Sequence, residues 1–183
     1  MSAAGRSASA ETGHVRHADD FYSTPAWCTH AILPHLAKGP ILEPCAGSGG
    51  IIDVVRRVWP DVAHWGYELD ADRARRASVR CVDALAIPWA EPATIITNPP
   101  FVTAMDFVAR AVNMGCASAF LLRLNWLSSQ KRASFHRTHP ADVYVLPRRP
   151  SFTDNGKTDS TEYAWFVWGP GRGGRWQILD CDI

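Results

Sequence analysis

The stretch "PILEPCAGSGGIIDVVRRVW", residues 40–59, decides how the rest of the chain is read. Residues 40–45 read as a buried strand, and Gly47, Ser48, Gly49 and Gly50 as a tight loop. Residues 51–59 place apolar side chains at helical spacing, with Arg56 and Arg57 on the outer face, until Pro60 and Asp61 stop the helix. Strand, glycine loop and helix together form the opening unit of an α/β sheet. Such sheets bind ligands outside the carboxyl ends of their strands.

The same alternation continues outward. Further strands are expected at 63–70, 80–85, 93–98, 119–124, 142–147 and 162–169, and helices at 71–79 and 104–115. Gly115 closes the last of these helices in the left-handed conformation that glycine takes easily. The expected architecture is therefore α/β: a mostly parallel, seven-stranded, Rossmann-like sheet with helices on both faces. Residues 1–18 are small and polar without an apolar stretch and read as a disordered tail. Residues 19–183 read as a single domain of the size expected for one core.

Composition narrows the function only a little. The net charge is +1, so the total does not point to nucleic acid. Between residues 123 and 157, however, Arg123, Lys131, Arg132, Arg137, Arg148, Arg149 and Lys157 face only Asp142 and Asp154, seven minus two. That excess suits phosphate, and it also suits an ordinary solvated face. The five cysteines, at positions 28, 45, 81, 116 and 181, are odd in number and form no C-x-x-C pair. They read as reduced thiols of a cytoplasmic protein, with no disulfide framework and no zinc site. His136 and His139 have metal-like spacing without partner cysteines, so no metal is expected. No run approaches the ~18 apolar residues of a membrane span.

The candidate site residues all fall at the ends of expected strands. Glu43 ends the first, and Gly47 and Gly49 let the backbone approach a ligand whose charge the following helix can meet with its amides. The loop is not G-x-G-x-x-G, because Ile52 occupies the last glycine position. Glu68 ends the second strand, about 20 residues on, where a carboxylate usually grips a ribose. It also reads as a plain strand-end acid. Asp83, after the third strand, could accept from an adenine amino group, or be an ordinary turn aspartate.

The fourth strand, "TIIT", runs into Asn98-Pro99-Pro100-Phe101. Two prolines cannot continue a β-ladder, since neither has an N–H to donate. The tetrapeptide resembles that of the amino-methyltransferases, and the resemblance implies a planar, conjugated nitrogen as substrate. The lone pair of an exocyclic amine is delocalised into its ring and is a poor nucleophile. The Asn98 side-chain oxygen and the Pro99 carbonyl could hold both N–H groups, while Phe101 stacks on the ring. Catalysis of that kind is positioning and electrostatics, without a covalent intermediate.

N-P-P-F, downstream of the E-x-x-x-G-x-G loop, resembles the catalytic tetrapeptide of class I amino-methyltransferases that use S-adenosylmethionine. "FYSTPAW" (21–27) is similar to the N-terminal motif of the adenine-N6 DNA methyltransferases. The resemblance implies that Thr24 helps hold the methionine portion of the cofactor. Thr24-Pro25 also reads as an N-cap followed by a first helical residue. "RRPSF" (148–152) is similar to the family's later loop, which implies that Phe152 lies against a flipped base. Arg148, Arg149 and Lys157 are expected to touch phosphate, with plain surface charge as the equal alternative.

The resemblance spans roughly residues 21–168. It implies an enzyme that methylates adenine N6 in DNA, in the small form carried by phages and prophages. Restriction-type relatives have a separate target-recognition domain, and none is expected here. Sequence choice would then fall to loops 125–140 and 151–160. RNA adenine, guanine N2 or a protein glutamine amide fit the same tetrapeptide, and a non-catalytic nucleic-acid-binding module is a further alternative. Trp126, Trp165 and Trp168 could offer a stacking surface, although core packing suits at least one of them better. A nicotinamide enzyme would share the acidic strand end but has no use for N-P-P-F.

Overall fold

A computed structural model of the chain describes residues 23–89, 92, 94–152 and 158–180. The expected tail, residues 1–18, and Lys157 lie outside the described residues. The first strand, β1 (Ile41–Glu43), leads through the glycine loop into α2 (Ile52–Val58). Then follow β2 (His64–Glu68), α3 (Ala71–Ala77), β3 (Arg80–Cys81), β4 (Thr94–Thr97), α4 (Ala104–Met114) and β5 (Ala117–Arg123). A short α5 (Ala133–Thr138) precedes β6 (Asp142–Val145), β7 (Tyr163–Trp168) and β8 (Trp176–Ile178), while α1 (Ala26–Ile32) lies ahead of them all.

These strands form one sheet in the order β3-β2-β1-β4-β5-β7-β6-β8. The strands from β3 to β5 are parallel, and β7 enters antiparallel between β5 and β6. Eight strands replace the seven expected. The addition is β8, which pairs parallel with β6 through Val143–Trp176 and Val145–Ile178. Its three residues are exposed, so no buried alternation marks it in the sequence. The third strand is also shorter than the 80–85 expected, because the chain turns at Asp83.

The inner strands read as continuous apolar runs because both faces are covered. Ile41, Ile96, Ala119, Leu121 and Trp165 pack beneath Ala31, Ile32, Val54 and Val55 of α1 and α2. Their neighbours Leu42, Ile95, Phe120, Leu122 and Phe166 pack on the other face against Phe107, Val108 and Ala111 of α4. Alternation along each strand thus feeds two cores. Gly115 ends α4 with φ 71°, as its position suggests.

All three tryptophans considered for base stacking are core residues. Trp165 is fully buried and Trp168 and Trp126 nearly so. The Trp165 indole N–H donates to the Cys28 carbonyl at 2.8 Å and that of Trp168 to the His139 carbonyl at 2.9 Å. The first bond ties α1 onto β7 across 137 residues of chain. A second long tie joins Arg172, which donates to the His35 carbonyl at 2.6 Å.

At the far edge, the Asp142 carboxylate accepts from the backbone N–H groups of Gly173 (3.1 Å) and Arg175 (3.0 Å). The Arg175 guanidinium adds an ion pair at 2.7 Å. These bonds hold the Gly171–Arg175 turn that delivers β8 to β6.

Candidate active site

Parallel pairing brings the ends of β1, β2, β4 and β5 to one rim of the sheet. Register places Glu43 beside Gly66, and Thr97 beside Phe120. The tetrapeptide that follows Thr97 therefore runs alongside the last residues of β5, which ends at Arg123.

The glycine loop is shaped by what lies under it. Gly47 and Gly49 have φ of 55° and 100°, which a side chain would resist. A Cβ at Gly49 would come 3.0 Å from the Asp53 carboxylate and 3.3 Å from the Ala77 backbone. Glu43 is sealed beneath this loop at 1% exposure. It accepts from the backbone N–H of Ile52, while its Oε2 has no partner among the described residues. Burial pushes the Glu43 carboxyl well above the usual carboxylate range, outweighing the Ile52 bond. Burial likewise pushes the Cys45 thiol up. Glu43 thus acts from behind the loop, bracing the start of α2.

A raised carboxyl pKa means that folding favours the protonated form. Stability is then full below the ordinary value near 4.5 and declines as pH rises from there toward the elevated folded value. Glu43→Gln, which cannot ionise, is expected to remove this alkaline decline. Urea unfolding at several pH values checks it: the variant should gain on the parent as pH rises, and parallel curves would contradict the assignment.

Glu68 is 9% exposed and already engaged. Its Oε2 accepts from the Gly47 backbone at 2.8 Å, and its Oε1 from the Asp70 backbone at 2.9 Å and Arg73 Nε at 3.3 Å. The carboxylate expected at a ribose therefore also fixes the glycine loop to the end of β2. Asp70 in turn caps α3, its Oδ1 accepting from the Arg73 N–H at 2.9 Å. Asp83 is exposed and accepts from the Leu85 N–H at 2.9 Å, the turn geometry of a free-standing aspartate. Arg110 of α4 staples the loop after it, donating at 3.1 Å to the carbonyls of both Ala84 and Leu85.

Thr24 does not cap α1, which begins at Ala26 with Pro25 ahead of it in an extended conformation (φ −58°, ψ 137°). The Thr24 hydroxyl accepts instead from the Asn98 side-chain amide at 3.2 Å. The N-terminal motif and the tetrapeptide, 74 residues apart, thus meet directly. Thr24 also lies on the glycine loop: a Cβ at Gly50 would come 2.7 Å from its carbonyl oxygen.

Of the tetrapeptide, Asn98 is half-buried, Pro99 buried and Pro100 exposed. The Pro100 carbonyl accepts from the Thr103 N–H at 3.2 Å in the turn that leads into α4. Phe101 is half-buried, with the Arg123 guanidinium 4.1 Å from its ring centroid. Tyr163 lies tilted at 6.3 Å from Phe101, and Phe152 meets the same tyrosine edge-on at 4.9 Å. Phe152 is 6% exposed, its ring packed on Tyr163 and largely withdrawn from solvent.

Arg123 is the residue at this rim that sequence reading treated only as charge. It donates to the Tyr163 hydroxyl at 3.2 Å and pairs with Asp159 at 3.4 Å. The Tyr163 hydroxyl donates to Asp159 at 2.6 Å. Its placement follows from β5 lying next to β4, which no local pattern announces. The remaining basic residues have separate surroundings. Arg148 stacks over Trp27 at 4.7 Å, and Arg149 pairs with Glu162, Nε donating at 3.0 Å. A phosphate at Arg149 would compete with that carboxylate.

Comparison with known proteins agrees on architecture. No protein family profile matches the sequence, and no curated protein does. Among solved structures, the chain is similar to a protein of Vibrio vulnificus assigned as the modification subunit of a type I restriction enzyme. That match has a TM-score of 0.66 at 15% identity and covers 85% of this chain and 45% of the other. A protein of Listeria monocytogenes assigned as a class I S-adenosylmethionine-dependent methyltransferase matches with a TM-score of 0.53 at 13% identity, over 84% and 62%. One of Pyrococcus horikoshii assigned as an RNA methyltransferase gives 0.58 at 12% identity, over 79% and 81%. The chain thus spans less than two-thirds of the first two. Sheet order, crossover pattern and these likenesses agree that the chain has the Rossmann-like fold of the class I methyltransferases.

Proposed function

We propose that this protein transfers the methyl group of S-adenosylmethionine to the exocyclic N6 of adenine in DNA. The observation that supports this reading is the contact between Asn98 and Thr24, beside the glycine loop. With its N–H engaged by Thr24, the Asn98 amide keeps its oxygen for a substrate N–H.

The residues fit the cofactor. Gly47 and Gly49 offer close backbone approach, Glu68 stands at the end of β2 for a ribose, and Asp83 lies exposed after β3 for an adenine amine. When bound, S-adenosylmethionine supplies an electrophilic methyl group on its sulfonium. Everything else falls to this chain. Asn98 Oδ1 and the Pro99 carbonyl draw the amine toward tetrahedral geometry, and Pro99 and Pro100 keep both acceptors rigid. Phe101 fixes the plane of the base, with Phe152 and Tyr163 backing it. A base in duplex DNA would first be flipped out of the stack. Arg148, Arg149 and Lys157 are the phosphate contacts, and loops 125–140 and 151–160 the source of sequence preference. On this reading the protein works in the cytoplasm of the cell that holds its DNA, phage-infected or not.

RNA is the second reading, favoured by the likeness to the Pyrococcus horikoshii protein. The test offers labelled S-adenosylmethionine with unmethylated duplex DNA, single-stranded DNA, total RNA and cell protein in parallel, and identifies the product by mass spectrometry. N6-methyladenine confined to DNA is expected. Label in RNA or protein keeps the chemistry and replaces the substrate, and binding without transfer favours a non-catalytic module. Glu68→Ala is expected to weaken cofactor binding at least tenfold by calorimetry, since both the ribose contact and the loop tether are lost. An unchanged affinity removes Glu68 from the ribose.

A further inference from the structure

We infer that Thr24 is a positioning residue for Asn98, and that its hydroxyl anchors the catalytic amide with Oδ1 toward the reacting nitrogen. The inference rests on the functional reading above and assigns Thr24 a role toward the substrate, separate from contact with the cofactor.

A side-chain amide is nearly symmetric in shape and opposite in chemistry at its two ends. Turned one way, Asn98 offers an acceptor to an exocyclic amine. Turned the other way, it sets two N–H donors against the two N–H donors of the substrate. Local geometry at Asn98 does not choose between them, because the following prolines fix the backbone and leave the amide rotation open. The partner behind it is a hydroxyl, which anchors one end of the amide by accepting from Nδ2 or donating to Oδ1. In the structure Asn98 Nδ2 donates to Thr24 Oγ1 at 3.2 Å, which leaves Oδ1 as the outward acceptor.

Thr24 is suited to this role because it is itself immobilised. Its side chain is buried, at 7% exposure. Its backbone lies against the loop, where a Cβ at Gly50 would come 3.1 Å from its nitrogen and 2.7 Å from its oxygen. Pro25 follows with a fixed φ, and the Pro25 carbonyl accepts from the Cys28 N–H at 3.0 Å. Cys28 is in turn held by Trp165. The hydroxyl therefore sits at a fixed point, and the amide orients to it.

Thr24→Val keeps the shape and removes the hydroxyl; Thr24→Ser keeps the hydroxyl. With labelled S-adenosylmethionine and unmethylated duplex DNA, the valine variant is expected to lose about 10–100-fold in kcat. Its cofactor Kd should stay within about twofold by calorimetry, and the serine variant should retain most of kcat. In parallel, the two side-chain amide proton signals of Asn98, assigned by their loss in Asn98→Ala, should shift in the valine variant and not in the serine variant. An unchanged kcat, or unmoved Asn98 signals, overturns the inference. A cofactor affinity that falls in step with kcat also overturns it, leaving Thr24 as a cofactor ligand alone. If the parent protein methylates nothing, the functional reading fails, and the amide signals still decide whether Thr24 holds Asn98.

Discussion

Asn98→Ala is expected to lower kcat for methyl transfer by about 10²–10³-fold, the loss seen when one preorganised polar group is removed at a reacting centre. The argument is geometric. Asn98 stands at the end of β4, after four buried residues, and its amide oxygen can take an N–H from an exocyclic amine. The Pro99 carbonyl remains in the variant, so the amine would be held at one N–H and left free at the other. The lone pair would then stay conjugated with its ring more of the time. Cofactor affinity should hardly change, because the glycine loop, Glu68 and Asp83 are untouched. Single-turnover rates with calorimetry separate the two quantities. A cofactor Kd weakened as much as the rate would move Asn98 out of the role given to it here.

The second large effect concerns stability at the opposite edge. Asp142 is 2% exposed and takes hydrogen bonds from two backbone N–H groups and two guanidinium groups. Burial alone would raise its pKa; the bonds from Arg175, Gly173 and Arg172 outweigh it and hold the carboxyl at about 2, against an ordinary 3.8. A lowered carboxylate pKa contributes stability that is complete above the unfolded value and is lost as pH falls through the folded one. That contribution is about 2 kcal/mol at neutral pH, disappearing between about pH 4 and pH 2. Asp142→Asn keeps the shape, discards the charge and leaves Arg172 and Arg175 without their carboxylate. A loss of about 3 kcal/mol is expected, or roughly 6–12 °C in Tm for a chain of this length. Thermal unfolding at neutral pH and at pH 3 checks it: the gap between parent and variant should narrow in acid. A gap that stays constant would mean that the charge is not what holds the turn.

These two residues illustrate what a sequence can and cannot disclose. The strand, glycine loop and helix of residues 40–59 were legible because their signal is local: a run of apolar residues, glycines, then helical spacing. The helix ending at Gly115 was legible for the same reason. The tetrapeptide was legible as a break in a ladder. The eighth strand was not, since Trp176, Gln177 and Ile178 are all exposed and owe their pairing to Asp142, more than thirty residues earlier. Asp142 itself read as one acid among bases. Arg123 at the rim could not be placed without knowing that β5 borders β4. Thr24 read as a neighbour of the cofactor's methionine portion, by resemblance, or as a helix cap, because a threonine before a proline suits one. Only the folded chain brings Asn98 near enough to claim its hydroxyl.

The ties made by the N-terminal segment bear on how the protein comes into being. Thr24 waits for Asn98, Cys28 waits for Trp165, and His35 waits for Arg172, the last two across 137 residues. In a chain synthesised from its N-terminus, residues 24–35 are made well before the partners that hold them. The bonds that hold Cys28 and His35 form only once Trp165 and Arg172 have been made. A product that stopped before β7 would own the glycine loop, the tetrapeptide and the Thr24–Asn98 pair, yet lack the Trp165 and Arg172 bonds that hold the N-terminal segment.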